Sequence, residues 1–390
     1  MHGDFIVYSI FLIFTGAAIL AAVALYARQS MLVAYIALGV LAGPYGFALV
    51  SAPATIEGIG HIGIIFLLYL LGLNMHPQKL LRMLHEATLV TVASSVLFWG
   101  AAFALAYALF DFSMAESAII GAAAMFSSTI IGLKLLPATA LHHRHVGEVI
   151  ISVLLLQDVV AIALLVLIDA FAQREGGAMA WLLPVVALPG LAAFAFVLQR
   201  YVLVPVMARF DTIAEFVFLI AVGWCLGLAQ LGRALGLSYE MGAFIAGVAL
   251  AAHPIALHIA ESLKPLRDFF LIMFFFSLGA AFALPRLGEV ALPALALGLL
   301  MLALKPVVFA RLLAHQKETQ RLSREIGVRL GQMSEFSLLI AVLSLSAGLL
   351  SDRAFYLIQA TTLVTFIGSS YWIMLRYPTP IAVSRALRRD

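Results

Sequence analysis

Charged residues are scarce in this chain of 390 residues. Lys, Arg, Asp and Glu together make up 11% of it, whereas 64% of the residues are hydrophobic and the mean hydropathy is +1.09. Soluble domains carry about 25% charged residues. A chain with so few charges has too little polar surface to cover a globule in water. The composition therefore excludes a water-soluble fold and predicts a protein of the lipid bilayer.

Cysteine is nearly absent as well. Its single copy, Cys225, excludes an intrachain disulfide framework and a cysteine-rich metal site. The chain also lacks a glycine-rich phosphate loop, a Cys/His metal cluster and a GxSxG nucleophile elbow. These absences predict a protein that is not an enzyme and needs no cofactor. The net charge of +3 does not predict nucleic-acid binding, because the basic residues are not clustered in a polar domain.

Long apolar runs make up most of the chain. Thirteen runs can be counted, and each is predicted to cross the membrane as a helix, because a helix satisfies its own backbone in lipid. The sequence thus predicts an all-α polytopic membrane protein. The start of the chain lacks the basic region of a cleavable signal peptide, so the first helix should be retained. The runs cover residues 5–27, 31–50, 56–73, 87–110, 118–136, 149–168, 181–198, 216–231, 235–252, 269–284, 290–312, 326–350 and 355–375.

The basic residues of the connecting loops predict the orientation. With an odd number of spans, the two termini lie on opposite sides of the membrane. One set of loops carries 18 of the 23 Lys and Arg residues, Arg329 among them, and the alternate set carries four. By the positive-inside rule, the richer set faces the cytoplasm. We therefore expect a multi-pass protein of the inner (cytoplasmic) membrane, with its N-terminus outside and its C-terminus in the cytoplasm.

Two ionisable residues lie deep within apolar runs. Asp158 is roughly 14 Å from the cytoplasmic end of the sixth run, at 1.5 Å per residue, and Lys305 is roughly 10 Å into the eleventh. A charge at this depth is costly, so both are candidate functional residues. An ion pair between them is geometrically possible. The alternatives are that Lys305 extends to the cytoplasmic headgroups and that Asp158 is a purely structural acid.

Polar residues at mid-depth predict breaks in the fifth and twelfth helices. The two breaks are 205 residues and seven spans apart, and because seven is odd the two helices cross in opposite directions. This pattern is typical of an inverted repeat, with spans four to six matching spans eleven to thirteen and an ion site at their interface. Close packing of small residues is the alternative for either break alone. The polar residues are Ser127, Ser128 and Thr129 in the fifth run and Gln332, Ser334 and Glu335 in the twelfth.

These residues resemble the motifs of a known family. The run Ser127-Ser128-Thr129, the pair Gln157-Asp158 and the later pair Lys305-Pro306 are similar to those of the Kef-type branch of the cation:proton antiporter-2 family. The resemblance covers nearly the whole membrane chain in order. Its most specific part is the Gln-Asp pair with the downstream lysine.

The resemblance implies a thirteen-helix, homodimeric, NhaA-like inverted-repeat fold with crossed discontinuous helices. The core domain would cover about residues 87–168 and 290–375, and the dimerisation domain about residues 5–73 and 181–284. The core would carry ions by an elevator-like movement and exchange K+ or Na+ for H+ across the bilayer.

The resemblance also implies roles for single residues. Asp158 would be the carboxylate that takes either a monovalent cation or a proton. Gln157 would be its neutral neighbour, which favours electroneutral one-for-one exchange and K+ over Na+. Further cation oxygens would come from Ser127, Ser128 and Thr129, and the helix ends at the crossing would be neutralised by Lys305 and Glu335, with Gln332 and Ser334 beside them.

The chain departs from the family pattern in three places. Kef proteins carry a long nucleotide-binding C-terminal domain, whereas this chain ends at Asp390, so we expect no such domain within it. Their acidic loop before the tenth span is replaced by the mostly basic residues 261–267, and Asn74 stands where the family often has an acid. Gating by glutathione or a nucleotide is therefore not predicted. An ungated family member and part of a longer chain both fit this pattern.

Rival functions use a similar scaffold. They are a gated potassium efflux channel, a Na+/H+ antiporter and an organic-anion symporter. A channel needs several weak sites along a continuous pore, whereas the sequence has one central carboxylate with a candidate counter-ion. An organic-anion symporter would line its site with more polar residues than these spans contain. The sequence therefore favours an antiporter, with Na+ as the alternative to K+.

Overall fold

The computed structural model of the chain is built of helices. It describes residues 2–27, 29–50, 53–74, 77–135, 145–172, 177–210, 213–237, 239–282 and 284–379. The helices are α1 (His2–Tyr26), α2 (Met31–Ala42), α3 (Pro53–Asn74), α4 (Pro77–Leu109), α5 (Met114–Ala124), α6 (Thr129–Lys134), α7 (His145–Ala172), α8 (Gly177–Leu198), α9 (Val204–Arg209), α10 (Ala214–Ala234), α11 (Tyr239–Ala251), α12 (Ile255–Ala280), α13 (Leu287–His315), α14 (Gln320–Arg329), α15 (Glu335–Ser346) and α16 (Asp352–Arg376).

Within this described part of the chain, six helical segments are long and apolar enough to cross a membrane. Six shorter apolar helices accompany them, among them α2, α5 and α15. The predicted all-helical membrane class therefore holds, while the count of thirteen spans stays a prediction. The six long segments are Val7–Tyr26, Thr88–Leu109, Ala187–Arg209, Glu215–Ala234, Leu284–His315 and Asp352–Arg376.

The basic segment 261–267, expected as a loop before the tenth span, is helical. It lies inside α12, which runs through Pro265 without interruption. Its charges are compatible with a helix because they stay exposed and pair locally: Lys264 Nζ lies 2.7 Å from Glu261 Oε1, one helical turn away. The change from apolar to charged residues therefore does not mark the end of the helix.

The connection between the eleventh and twelfth predicted spans, residues 313–325, is also largely helical. The connection between α13 and α14 is only residues 316–319, because Thr319 caps α14: its Oγ1 accepts a hydrogen bond from Leu322 N at 3.4 Å. The twelfth predicted span therefore consists of two helices, α14 and α15, separated by residues 330–334. The break expected at Gln332, Ser334 and Glu335 is therefore present.

The chain divides into two compact units. The first comprises Met1–Leu49, Arg82–Leu165 and Gly279–Asp390, and the second comprises Val50–Leu81 and Val166–Leu278. Every site residue expected from the sequence falls in the first unit. The predicted division into a core domain and a dimerisation domain stays a prediction.

In the first unit, α13 packs closely against α16. A Cβ atom on Gly298 of α13 would lie 2.7 Å from Val364 Cγ1, and one on Gly368 of α16 would lie 2.6 Å from Leu302 Cδ1. Small residues on both helices thus admit the apolar side chains of the other, as in membrane helix pairs generally. This contact holds α16 against the helix that carries Lys305.

In the second unit, α3 and α11 approach through paired glycines. A Cβ on Gly247 would lie 2.2 Å from Tyr69 O, and one on Gly72 would lie 2.5 Å from Phe244 O. The two backbones are therefore closer than any side chain would allow. Around this contact lies a buried core that includes Phe66, with Trp224 from α10.

We expect Gly247→Ala to destabilise this unit. The added methyl group would overlap the main chain of α3, and overpacking of this kind costs about 2 kcal/mol of the free energy of unfolding. Detergent-solubilised protein, unfolded by increasing SDS fraction, gives the measurement. Gly227→Ala in α10 is the control, since no atom lies within 4 Å of its added Cβ. Equal stability of the two variants would contradict the close approach.

Candidate ion-binding site at two helix breaks

The first break separates α5 from α6 at residues 125–128, where three polar residues were expected to interrupt the fifth span. Ser128 begins α6: its Oγ accepts a hydrogen bond from Ile131 N at 3.1 Å, as a helix-capping serine does. Hydroxyl side chains compete with the backbone for hydrogen bonds and so favour such interruptions over a continuous helix.

The second break separates α14 from α15 at residues 330–334. Ser334 caps α15, with its Oγ accepting from Phe336 N at 3.1 Å. In return, Ser337 Oγ accepts from Ser334 N at 3.2 Å, which completes a capping box. A local sequence pattern thus ends one helix and begins the next without leaving these amides unpaired in the membrane.

The two breaks are hydrogen-bonded to each other. Ser127 Oγ donates to Leu330 O at 2.8 Å, and Gln332 Nε2 donates to Ser128 O at 3.3 Å. Ser337, in the first turn of α15, donates its hydroxyl to Ala123 O in the last turn of α5. The carbonyl end of one half-helix therefore meets the amide end of another, so their opposite partial charges are offset.

Gln157 on α7 holds the first break from the side. Its Oε1 accepts from Ser127 N at 3.0 Å, and its Nε2 donates to Met125 O at 3.4 Å. The side chain is buried, and both ends of its amide are used by main-chain groups that the break leaves unpaired. A neutral amide can serve an N–H and a C=O at once, which a carboxylate cannot.

Asp158, the next residue on α7, is 2% exposed. Its Oδ1 accepts from Thr129 Oγ1 at 3.4 Å, at the start of α6. Its Oδ2 is buried and has no hydrogen-bond partner among the residues that the structure describes. The Glu335 carboxyl, at the start of α15 and 3% exposed, interacts electrostatically with Asp158. A buried carboxylate oxygen of this kind is costly unless a cation or a proton binds it.

Lys305 lies between the breaks and is completely buried. Its Nζ donates to Phe126 O at 2.5 Å and to Gln332 O at 3.1 Å, the carbonyls that follow the ends of α5 and α14. The Phe98 ring lies 5.2 Å away and adds a cation–π contact. The ammonium group thus sits where two helices present their negative ends.

The ion pair considered from the sequence is not formed. Both side chains are described, and no salt bridge joins Lys305 to Asp158, because the two carbonyls occupy the lysine. The alternative that Lys305 extends to the headgroups is also wrong, since the side chain is buried and hydrogen-bonded inside the protein. The similar depth of Lys305 and Asp158 could be predicted from the sequence, but the hydrogen-bond partners of Lys305 could not.

Two residues of the site were missed, and both are hydroxyls of α16. Thr365 Oγ1 accepts from Met333 N at 3.1 Å, and Ser369 Oγ donates to Gln332 Oε1 at 2.8 Å. Together they hold the second break as Gln157 holds the first. The signal was present, because the two hydroxyls recur four residues apart on one face of an apolar span.

Comparisons with known proteins give one family profile, several relatives and a solved structure of similar fold. The profile described as "Sodium/hydrogen exchanger, transmembrane" matches residues 10–376. The iron transporter MagA of Paramagnetospirillum magneticum is 28% identical over 357 residues, which cover 89% of this chain and 80% of MagA. K(+) efflux antiporter 4 of Arabidopsis thaliana is 28% identical over 353 residues, or 87% of this chain and 59% of that protein.

The glutathione-regulated potassium-efflux system protein KefC of Escherichia coli is 28% identical over 335 residues, or 84% of this chain and 54% of KefC. The chain therefore spans little more than half the length of these two potassium efflux proteins. The structure of the sodium proton antiporter MjNhaP1 from Methanocaldococcus jannaschii matches with a TM-score of 0.69 at 18% identity. The match covers 95% of this chain and 100% of MjNhaP1, so the two share a fold.

We expect Lys305→Met to destabilise the crossing. Methionine fills a similar volume but donates no hydrogen bond, so two buried carbonyls lose their partner and the free energy of unfolding falls by about 3 kcal/mol. SDS-induced unfolding measures the change. Lys264→Met is the matched control, because Lys264 is exposed on α12 and pairs with the exposed Glu261. A loss no larger than that of the control would contradict the assigned role.

Proposed function

The chain belongs to the transmembrane sodium/hydrogen exchanger family, and from this we propose that it is a secondary active antiporter that exchanges a monovalent cation, K+ in preference to Na+, for H+. The family includes the Kef-type antiporters that the sequence motifs resemble. The observation that carries the proposal is the buried Asp158 carboxylate, one oxygen of which has no hydrogen-bond partner in the described part of the chain.

Asp158 is the group for which the two ions compete. Ionised, it needs a positive charge beside it, because a bare carboxylate is costly in so dry a site. A cation supplies that charge; a proton removes the need for it. The core domain can then carry the site across the membrane with either ion bound. With the site empty and ionised, this movement is opposed by the cost of moving an uncompensated charge through the membrane. Coupled exchange follows from this competition.

The neighbouring oxygens divide into two roles. Thr129 Oγ1 touches Asp158, so it is the hydroxyl that we assign to the bound cation. Ser127, Ser128 and Gln157 hold the backbone of the first break, and their remaining lone pairs can still accept a cation. Uncharged oxygens suit a monovalent cation, since each adds coordination without adding charge.

The charge balance of the site supports electroneutral exchange. Gln157 is neutral, so the Gln157–Asp158 pair contributes one carboxylate to the exchange of one cation for one proton. Lys305 and Glu335 serve the helix ends: the lysine lies at two carbonyl ends, and the glutamate is the first residue of α15, next to Ser334. Glu335 also interacts with Asp158 and so favours a bound positive charge there.

The rest of the proposal concerns architecture. We assign the chain thirteen spans in an NhaA-like inverted repeat of the inner (cytoplasmic) membrane, with the N-terminus outside and the C-terminus on the cytoplasmic side. The core, at about residues 87–168 and 290–375, moves as an elevator against a dimerisation domain at about 5–73 and 181–284, within a homodimer. Support comes from the head-to-tail meeting of α5 with α15 and from the fold shared with MjNhaP1.

Two other cations and one other transport mechanism are the alternatives to K+/H+ exchange. Na+ is the alternative to K+, and a gated potassium efflux channel is the alternative to an antiporter. Iron is considered because MagA is named an iron transporter. The described residues hold no group of three or more His, Cys, Asp and Glu side chains that could bind such a metal, so a monovalent ion is favoured.

We expect Asp158→Asn to abolish cation-dependent proton flux. The amide keeps the shape of the carboxyl group but neither binds a proton nor balances a cation. Proteoliposomes that report internal pH, given pulses of K+, Na+ or Fe2+, provide the measurement. Asp268→Asn is the control, because Asp268 is an exposed acid that pairs with Arg267. Exchange that persists in Asp158→Asn would sink the assignment, and large single-channel currents would favour the channel.

We expect Gln157→Glu to make exchange sensitive to the membrane potential. Glutamate can still accept from Ser127 N, but it adds a second carboxylate beside Asp158 and loses the bond to Met125 O. With a potassium-selective ionophore setting the potential, wild-type flux should not depend on it and the variant's should. Gln320→Glu, at the exposed start of α14, is the matched control. Potential-dependent flux in the wild type would contradict one-for-one exchange.

A further inference from the structure

Arg329, the last residue of α14, is a buried cation outside the ion site. It is 1% exposed, whereas the charge pattern of the sequence predicts a loop position for it. Nε and Nη2 donate to Glu325 Oε1 at 3.0 and 2.9 Å, one turn back on the same helix. Burial of a guanidinium group is costly, so the remaining contacts need an explanation.

Those contacts join two separate parts of the first unit. Nη1 donates to Leu135 O at 2.9 Å, just after the end of α6. Nη2 donates to Pro378 O at 2.7 Å, and the guanidinium carbon lies 5.8 Å from the centre of the Tyr377 ring. Residues 377–379, which follow α16, are called the tail segment below. One side chain therefore ties the end of α6 and the tail segment to the end of α14.

The ends of α6 and α14 that Arg329 joins are both close to the proposed ion site along the chain. α6 has only six residues, and its first, Thr129, donates to Asp158. α14 ends where the second break begins, and Leu330, the next residue, accepts the hydrogen bond from Ser127. A short helix moves nearly as a rigid rod. Displacement at Leu135 is therefore carried to Thr129.

We propose that Arg329 is a positioning residue which couples the tail segment to the affinity of the ion site. With the tail segment docked, Arg329 holds α6 so that Thr129 meets Asp158. When the tail segment is displaced, the guanidinium group loses an acceptor and α6 is free to shift. The inference rests on the proposed function, because it assigns the regulation of that same site.

Stability alone gives a weaker account of this arrangement. An apolar side chain of similar volume at a buried position is often as stabilising as a buried ion pair. The planar, forked guanidinium group is suited instead to several acceptors in fixed directions. Here two of its acceptors are main-chain carbonyls on separate elements, Leu135 and Pro378, so its geometry fixes their positions relative to each other.

The test is the kinetics of Arg329→Lys in proteoliposomes, with K+ and Na+ as the probes. Lysine keeps the charge but cannot reach both carbonyls and Glu325. We expect the KM for the cation to rise about tenfold, the effect of losing one charge-assisted hydrogen bond of ordinary strength, with a smaller change in the maximal rate. A merely structural residue would lower the amount of folded protein and leave the KM of the remainder unchanged.

A second variant changes the tail segment and not Arg329. Tyr377→Ala removes the ring that packs on the guanidinium group and leaves Arg329 in place. We expect it to raise the KM as well, and the double variant to resemble Arg329→Lys alone, because both changes break the same coupling. Arg321→Gln, an exposed arginine on α14, is the control and should leave the KM unchanged.

The outcomes separate this inference from the proposed function. A wild-type protein that exchanges neither K+ nor Na+ for protons would overturn the antiporter itself. A wild type that is active and sensitive to Asp158→Asn, with an unchanged KM in both Arg329→Lys and Tyr377→Ala, would overturn only the coupling. Additive effects in the double variant would also count against it, since independent sites add.

Discussion

The structure of the site depends on one requirement: every main-chain amide and carbonyl at the two breaks must find a partner inside the membrane. Lipid offers none, so interrupted helices survive only where the protein supplies the missing hydrogen bonds. Lys305, Gln157, Ser337 and Thr365 each donate to, or accept from, a main-chain group of a break. The proposed ion site is thus the part of the crossing that remains after the main-chain groups have found their hydrogen-bond partners.

This requirement explains why Asp158 is exceptional. Gln157 and Lys305 bond to main-chain groups of the breaks, whereas one oxygen of the buried Asp158 carboxyl has no hydrogen-bond partner among the described residues. A polar network that is complete except at one carboxylate directs binding to that carboxylate. Thr129 already lies beside Asp158, so the arrangement that we propose binds the cation needs little further ordering.

Much of the site could be predicted from the sequence, because a charge or a polar cluster in an apolar run is conspicuous. Asp158, Lys305 and the two breaks were located in this way. Their partners could not be, since Lys305 binds main-chain oxygens that every residue has. Arg329 was misjudged because a basic residue near a helix end usually lies in a loop. Segment 261–267 was misjudged because local charge pairs keep a helix intact beyond its apolar part.

Lys305 binds main-chain oxygens, so the positions at the crossing do not tolerate substitution equally. A change of side chain at Phe126 leaves the carbonyl that Lys305 binds where it was. Replacing Lys305 by a residue without a donor removes both bonds together. Under the proposed function, cation preference can therefore vary through the side chains around Asp158 more readily than through Lys305, which holds the two helix breaks together.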